Sequence, residues 1–149
     1  LRITELMYNA PQGANYDYIE LQNILGKTLN LSGVRFVDGV EFVFPEMVLA
    51  PGQCVVVVSN VVAFRSVYGF GVNVAGQYAG GLSGGGEQIV LQLPWPLEAA
   101  VMRFEYSDKW YPTTDGAGDA LAVVDARVHP AAWNDPQTWQ AASPSPGTP

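Results

Sequence analysis

The chain has one histidine, His129, and one cysteine, Cys54, and these bound the chemistry it can do. A covalent mechanism needs a nucleophile beside a positioned base, and a zinc site needs several His or Cys ligands. His129 precedes Pro130 in an Ala- and Pro-rich stretch, where a surface role is expected. Cys54 heads the apolar run Val55 to Val58 and reads as a small buried hydrophobe, with no obvious base to make it a thiolate. Fourteen Asp and Glu could supply the paired carboxylates of a glycosidase, yet nothing in their spacing selects a pair. Glu20 sits among apolar neighbours and is expected to face water or a cross-strand partner. Asp115-Gly116-Ala117-Gly118-Asp119 offers oxygen donors that suit calcium. It lacks the alternating donors of an EF-hand loop, so a turn stabilised by Asp115 is the expected role. The run Gly80 to Gly86 lacks the Lys-Ser/Thr close of a phosphate loop and reads as closely approaching backbone or a mobile rim. No catalytic residue, metal or cofactor is assigned.

Aromatic residues are the remaining candidates for binding. Trp95, Trp110, Tyr111, Trp133 and Trp139 lie in turns or in the tail rather than in alternating strands. On a carbohydrate-binding sandwich they would stack on sugar rings. The favoured reading is that they plug the open ends of the fold, since large aromatics are mostly buried.

The elements that must position these residues follow from periodicity. Ile19 and Leu21 alternate with Glu20 and Gln22, the pattern of a half-buried strand, and Asn23 ends it because its side chain can bond nearby backbone. Gly26 reverses the chain towards a partner strand at residues 34–37. Residues 1–8 alternate too, with a slip near Glu5 that marks a bulge. Asp38-Gly39 signals a hairpin, and Pro45 stops the strand that carries Phe42 and Phe44. The unbroken apolar run at 53–59 implies a strand buried on both faces. Asn60 and Gly69 bracket a short helix over 61–68. Eight glycines from Gly69 to Gly86 predict loop with brief extended pieces. Ile89, Leu91 and Leu93, then Met102, Phe104 and Tyr106, mark two more strands around Pro94-Trp95-Pro96, and a last one falls near 119–124. Short strands at this spacing favour an all-β sandwich or barrel with one short helix.

The chain has 149 residues, 48% hydrophobic and 14% charged, which suits one packed domain that needs neither metal nor disulfide. No run approaches the roughly 20 apolar residues of a membrane span. Net charge is −7 and the seven Lys and Arg are scattered, so nucleic acid is not an expected partner. The first residue is Leu1 and no leader precedes it, which is expected of a piece of a longer polypeptide. The Ser-Pro-Ser-Pro-Gly-Thr-Pro ending reads as linker.

Several turns in one order carry a family resemblance. Ile19-Glu20-Leu21-x-Asn23, Leu31-Ser32-Gly33, Asp38-Gly39, Phe44-Pro45, Leu49-Ala50-Pro51-Gly52, Gly81-Leu82-Ser83 with Gly86-Glu87, and Asp115-Gly116-x-Gly118 before Leu121 resemble the lamin tail domain. The Trp-containing tail Asn134 to Trp139, with Ser143 and Pro146-Gly147, is similar to the family's bacterial branch. The resemblance implies an immunoglobulin-like β-sandwich over 1–128, with an extension and linker over 129–149 partly packed on it. It also implies a non-catalytic interaction or structural module of a larger secreted or cell-surface bacterial protein. Its partners would be neighbouring domains of the same polypeptide and a protein or polysaccharide ligand. A carbohydrate-binding module attached to a hydrolase is the alternative. Nuclear lamin tails are linked to chromatin, a role from which this acidic chain departs.

Overall fold

Alternation in the first eighteen residues resolves into a strand, a loop and the start of a second strand, in a computed structural model that describes residues 1–148. Strands β1 (Arg2–Met7) and β2 (Tyr18–Gln22) pair antiparallel, with Leu6 opposite Ile19 and Ile3 opposite Leu21. The register slips between Ile3 and Glu5, so the expected bulge is there, with Thr4 as its extra residue. Ile3 and Leu6 therefore both enter the core. Asn23 ends β2 as its side-chain chemistry predicts. It is fully buried, its Nδ2 donates to the carbonyls of Leu49 (2.8 Å) and Lys27 (2.9 Å), and its Oδ1 accepts from the N–H of Leu25.

The chain continues through β3 (Leu29–Asn30), β4 (Arg35–Asp38), β5 (Val40–Val43), β6 (Val48–Leu49) and β7 (Cys54–Val58). Helix α1 (Val61–Tyr68) occupies the expected span. Asn60 Oδ1 accepts from the N–H of Ala63 at 3.0 Å, capping its start. Next come β8 (Val74–Gln77), β9 (Ala79–Gly80), β10 (Gly86–Gln92), β11 (Ala100–Ser107), β12 (Ala120–Val123) and β13 (Trp139–Ala142). Single 3-10 turns lie at Ala14–Tyr16, Pro112–Thr114, Pro130–Asn134 and Pro136–Thr138.

Two sheets hold most of these strands. One has the order β13-β12-β1-β2-β7-β8, the other β11-β10-β4-β5-β9, and β3 pairs β6 separately. The core between them takes Ile3, Leu6, Ile19, Leu21, Val55 and Val57 from the first sheet. Phe36, Ile89, Leu91, Met102, Phe104 and Tyr106 come from the second. Side chains of this kind each contribute about 1.5–3 kcal/mol on burial. The fold is an all-β sandwich with one short helix. Residues 34–37 are not the partner of β2, as its neighbouring position in sequence suggested. β4 lies in the opposite sheet, and β2 pairs instead with β1 and β7.

β7 is buried at all five positions because the six-stranded sheet is covered on both faces. Val55 and Val57 face the sandwich core. Val56 and Val58 meet Phe64 of α1 together with Met7, Tyr18 and Ala120. Edge-on aromatic contacts from Tyr18 to Phe64 (5.4 Å) and Tyr68 (5.6 Å) seat the helix there. The helix also carries the chain across to β8, which pairs parallel to β7. Gly86 confirms close approach within the glycine-rich segment: φ is +104° there, and a Cβ would collide with the carbonyl of Tyr106.

Candidate functional site

The loop between β10 and β11 presents the most exposed of the aromatic candidates. Pro94 and Pro96 flank Trp95 and remove two backbone donors from any ladder, so the strands must end here. Trp95 is 77% exposed and Leu97 69%. The backbone beneath them is tied down. The N–H groups of Leu97 (3.0 Å) and Glu98 (3.4 Å) both donate to the carbonyl of Pro94, and that of Leu93 donates to Ala99 O at 2.9 Å. Arg35 of β4 pairs with Glu98, which holds a positive φ of 48°. Two large apolar side chains thus stand in water on a fixed support.

The other four aromatic candidates do not join them. Trp133 and Trp139 are 0% and 1% exposed, so as binding residues they are corrected to core residues. Trp133 Nε1 donates to the carbonyl of Ile3, and Trp139 Nε1 to that of Trp133, each at 3.0 Å. Buried indole N–H groups need such partners. Trp139 also packs on Phe104 at 5.4 Å between ring centres. Half-buried Trp110 lies 6.5 Å from Trp139, and the Tyr111 hydroxyl donates to Trp139 O at 2.7 Å. These four close one side of the sandwich and form no platform with Trp95.

A second polar constellation escaped the sequence reading. Glu5 and Glu20 stand opposite each other on β1 and β2, 3% and 2% exposed, on the face of the six-stranded sheet away from the core. Of the two expectations for Glu20, a cross-strand partner is there in Glu5, while facing water fails because the segment with Ser145 and Gly147 crosses over it. Glu20 accepts from Thr4 Oγ1 and from the N–H of Gly147, both at 2.6 Å. Glu5 accepts from the Tyr18 hydroxyl, from the N–H of Ser145 (3.1 Å) and from Ser145 Oγ (3.0 Å). Burial pushes Glu20 above the ordinary carboxylate value, against the pull of its hydrogen bonds from Thr4 and Gly147. Within the Ser-Pro-Ser-Pro-Gly-Thr-Pro stretch expected to be linker, Ser145 and Gly147 bond to the sheet and Pro146 is buried between them. The slip near Glu5 was the available sign, since a bulge re-aims side chains.

The remaining candidates stay apart. His129 is exposed and uses its ring Nδ1 to accept from the N–H of Ala131 at 3.3 Å. Cys54 is buried, and burial followed by the charge of Glu20 pushes its thiol up to about 12. Asp115 accepts from Asn9 Nδ2 at 2.6 Å, which ties a turn to the loop after β1. Among the described residues no cluster of three His, Cys, Asp or Glu is placed to hold a metal ion. No helix among them is long and apolar enough to cross a membrane.

The family model for the lamin tail domain matches residues 1–108. The chain belongs to the lamin tail domain family. Its sandwich is accordingly immunoglobulin-like, and the family is one of non-catalytic domains. No curated protein and no solved structure matches the chain. The matched part of this lamin tail domain contains β1 to β11, the 94–98 loop and the Glu5–Glu20 pair. Strands β12 and β13, both buried tail tryptophans and the segment over the carboxylates lie after it.

Proposed function

We propose that this lamin tail domain is a non-catalytic interaction module of a larger secreted or cell-surface bacterial protein, and that it engages a protein partner through the 94–98 loop. The observation that carries the reading is the pair Trp95 and Leu97, exposed on hydrogen-bonded backbone. An exposed Trp that fills a partner's pocket is the usual energetic centre of an interface, and a pre-ordered loop loses little entropy on docking. Arg35 and Glu98 at its base suit the polar rim of such a contact. The secreted bacterial setting is supported by the resemblance of the tail to that branch of the family. The net charge of −7 argues against nucleic acid, and two of the seven cations, Arg2 and Arg65, are engaged with the rings of Trp133 and Phe70. The exposed indole of Trp95 is also what favours the alternative, a polysaccharide ligand.

The test measures retention of surface proteins and of a glycan panel on the immobilised chain, with Trp95→Ala and Phe70→Ala beside it. Loss of about thirtyfold in protein affinity on Trp95→Ala, the ~2 kcal/mol of a hot-spot residue, is the expected result, with Phe70→Ala unchanged. Glycan retention that Trp95→Ala abolishes would replace the protein reading with the carbohydrate one. Retention indifferent to Trp95 would remove the loop from either.

A further inference from the structure

Residues 145–148 form a β-turn of defined chemistry. Ser145 O accepts from the N–H of Thr148 at 3.1 Å, Pro146 is buried at the second position, and Gly147 takes φ +88° at the third. This is the Pro-Gly order of a type II turn, and few other residues could adopt the third position. The turn aims the N–H groups of Ser145 and Gly147, with the Ser145 hydroxyl, at two carboxylates more than 120 residues away in sequence. No Lys, Arg or His pairs with either carboxylate; the one ion pair among the described residues is Arg35–Glu98. Main-chain donors from the turn thus satisfy acceptor oxygens of two adjacent buried carboxyl groups that no cation pairs with.

The turn lies on the sheet without being woven into it. β13 ends at Ala142, and from there to residue 148 no residue belongs to a strand. A cleft of about 330 Å³ runs beneath, lined by Glu5, Glu20, Ala122, Gln140, Ser145 and Thr148. On the turn's other side a cleft of about 540 Å³ is bounded by Gly147, Val72 and Cys54. Polar, roofed by a short segment and open at the sides, this face resembles a peptide site already holding its peptide.

We propose that Glu5 and Glu20 form a receptor for a Ser-Pro-Gly turn, filled in this structure by the chain's own residues 145–148 and able to take the same turn from a second copy of the chain when its own is lifted. The carboxylates supply acceptors at a spacing that two successive turn N–H groups match, and the buried proline ring supplies shape. The proposal is independent of the 94–98 loop, which belongs to the other sheet.

Cys54 reports on it, because Gly147 and the thiol border one cleft. The full chain carrying Gly147→Pro loses the donor to Glu20 and cannot hold φ +88°. Ser145→Pro removes both of the turn's donors to Glu5, leaving the Tyr18 hydroxyl, and serves as a second opener. Val90→Ala, in the opposite sheet, controls for general destabilisation, and thermal melting is followed for every variant. Native thiol labelling by a water-soluble reagent is expected to run at least about tenfold faster in either opener than in the unaltered chain, the shift in local opening from losing one or two hydrogen bonds to a carboxyl group. A synthetic peptide of residues 142–148 at about millimolar concentration, the range of a released intramolecular ligand, should slow labelling of the Gly147→Pro chain again. It should do nothing once Glu20→Gln is added. Labelling that tracks only each variant's melting temperature would overturn the lifting of the turn. Faster labelling that the peptide leaves unchanged would overturn the receptor.

Discussion

Trp95 and Trp139 come from segments of one kind, proline-bearing and without strand alternation, yet they end in opposite environments. Pro94-Trp95-Pro96 sits at the tip of the β10–β11 hairpin, where the chain turns away from both sheets and nothing lies above it. Trp139 opens β13, which pairs with β12 so that Val123 stands opposite the indole-bearing residue. Its ring then falls over Phe104 of the other sheet. Pairing with a neighbour strand, and not the local sequence, decides which tryptophan is core. The comparison separates residues that hold this domain together from residues left free for a partner.

The largest effect should come from the buried side. Trp139→Ala or Trp133→Ala should cost about 3–5 kcal/mol in urea unfolding, the range for emptying a large aromatic site. A loss under about 1 kcal/mol would put these rings outside the true core. Glu20→Ala comes next, because it strands the Thr4 hydroxyl and the Gly147 N–H. About 1–3 kcal/mol is expected, where an exposed carboxylate would cost almost nothing.

That second expectation marks where the sequence stopped being readable. Glu20 alternates with Ile19 and Leu21 as a solvent-facing residue does, and its burial depends on a segment 127 residues away whose Gly147 N–H donates to it. No local pattern could show that. β11 was legible because its outer face meets water at Arg103 and Glu105, so the two-residue period survives; in β10 only Gln88 is exposed, and Ile89, Val90 and Leu91 are all buried. α1 was legible from its two caps. β13 was not, because Trp139-Gln140-Ala141-Ala142 follows a proline-rich turn and has little strand character of its own. The sequence also suggested β2 and β4 as partners, but the chain crosses from one sheet to the other between them through β3, and no local pattern marks that crossing. The exposed loop was legible as a turn, and its exposure was not.

A smaller effect depends on pH. Asp17 is buried beside the start of β2 and accepts from the N–H of Ala10 at 2.9 Å. Burial outweighs that bond and raises its carboxyl from 3.8 to about 6. The folded chain therefore keeps a proton that the unfolded chain releases over this interval. Its contribution to stability is present below about pH 4 and is lost as pH rises through about 6. Unfolding midpoints measured from pH 4 to 7 should show a downward component that Asp17→Asn removes. An Asp17→Asn chain with the same slope would assign the proton elsewhere.

Trp95→Ala should have the smallest effect on stability, within about 0.5 kcal/mol, since its ring is in water before and after unfolding. This sets up the most direct test of the contrast: unfolding free energy and partner affinity measured together for Trp95→Ala and Trp139→Ala at a temperature where both remain folded. The account predicts that Trp95→Ala keeps its stability and loses about thirtyfold in affinity, while folded Trp139→Ala loses stability and keeps its affinity. A Trp95→Ala chain that binds as tightly as the unaltered one would contradict it.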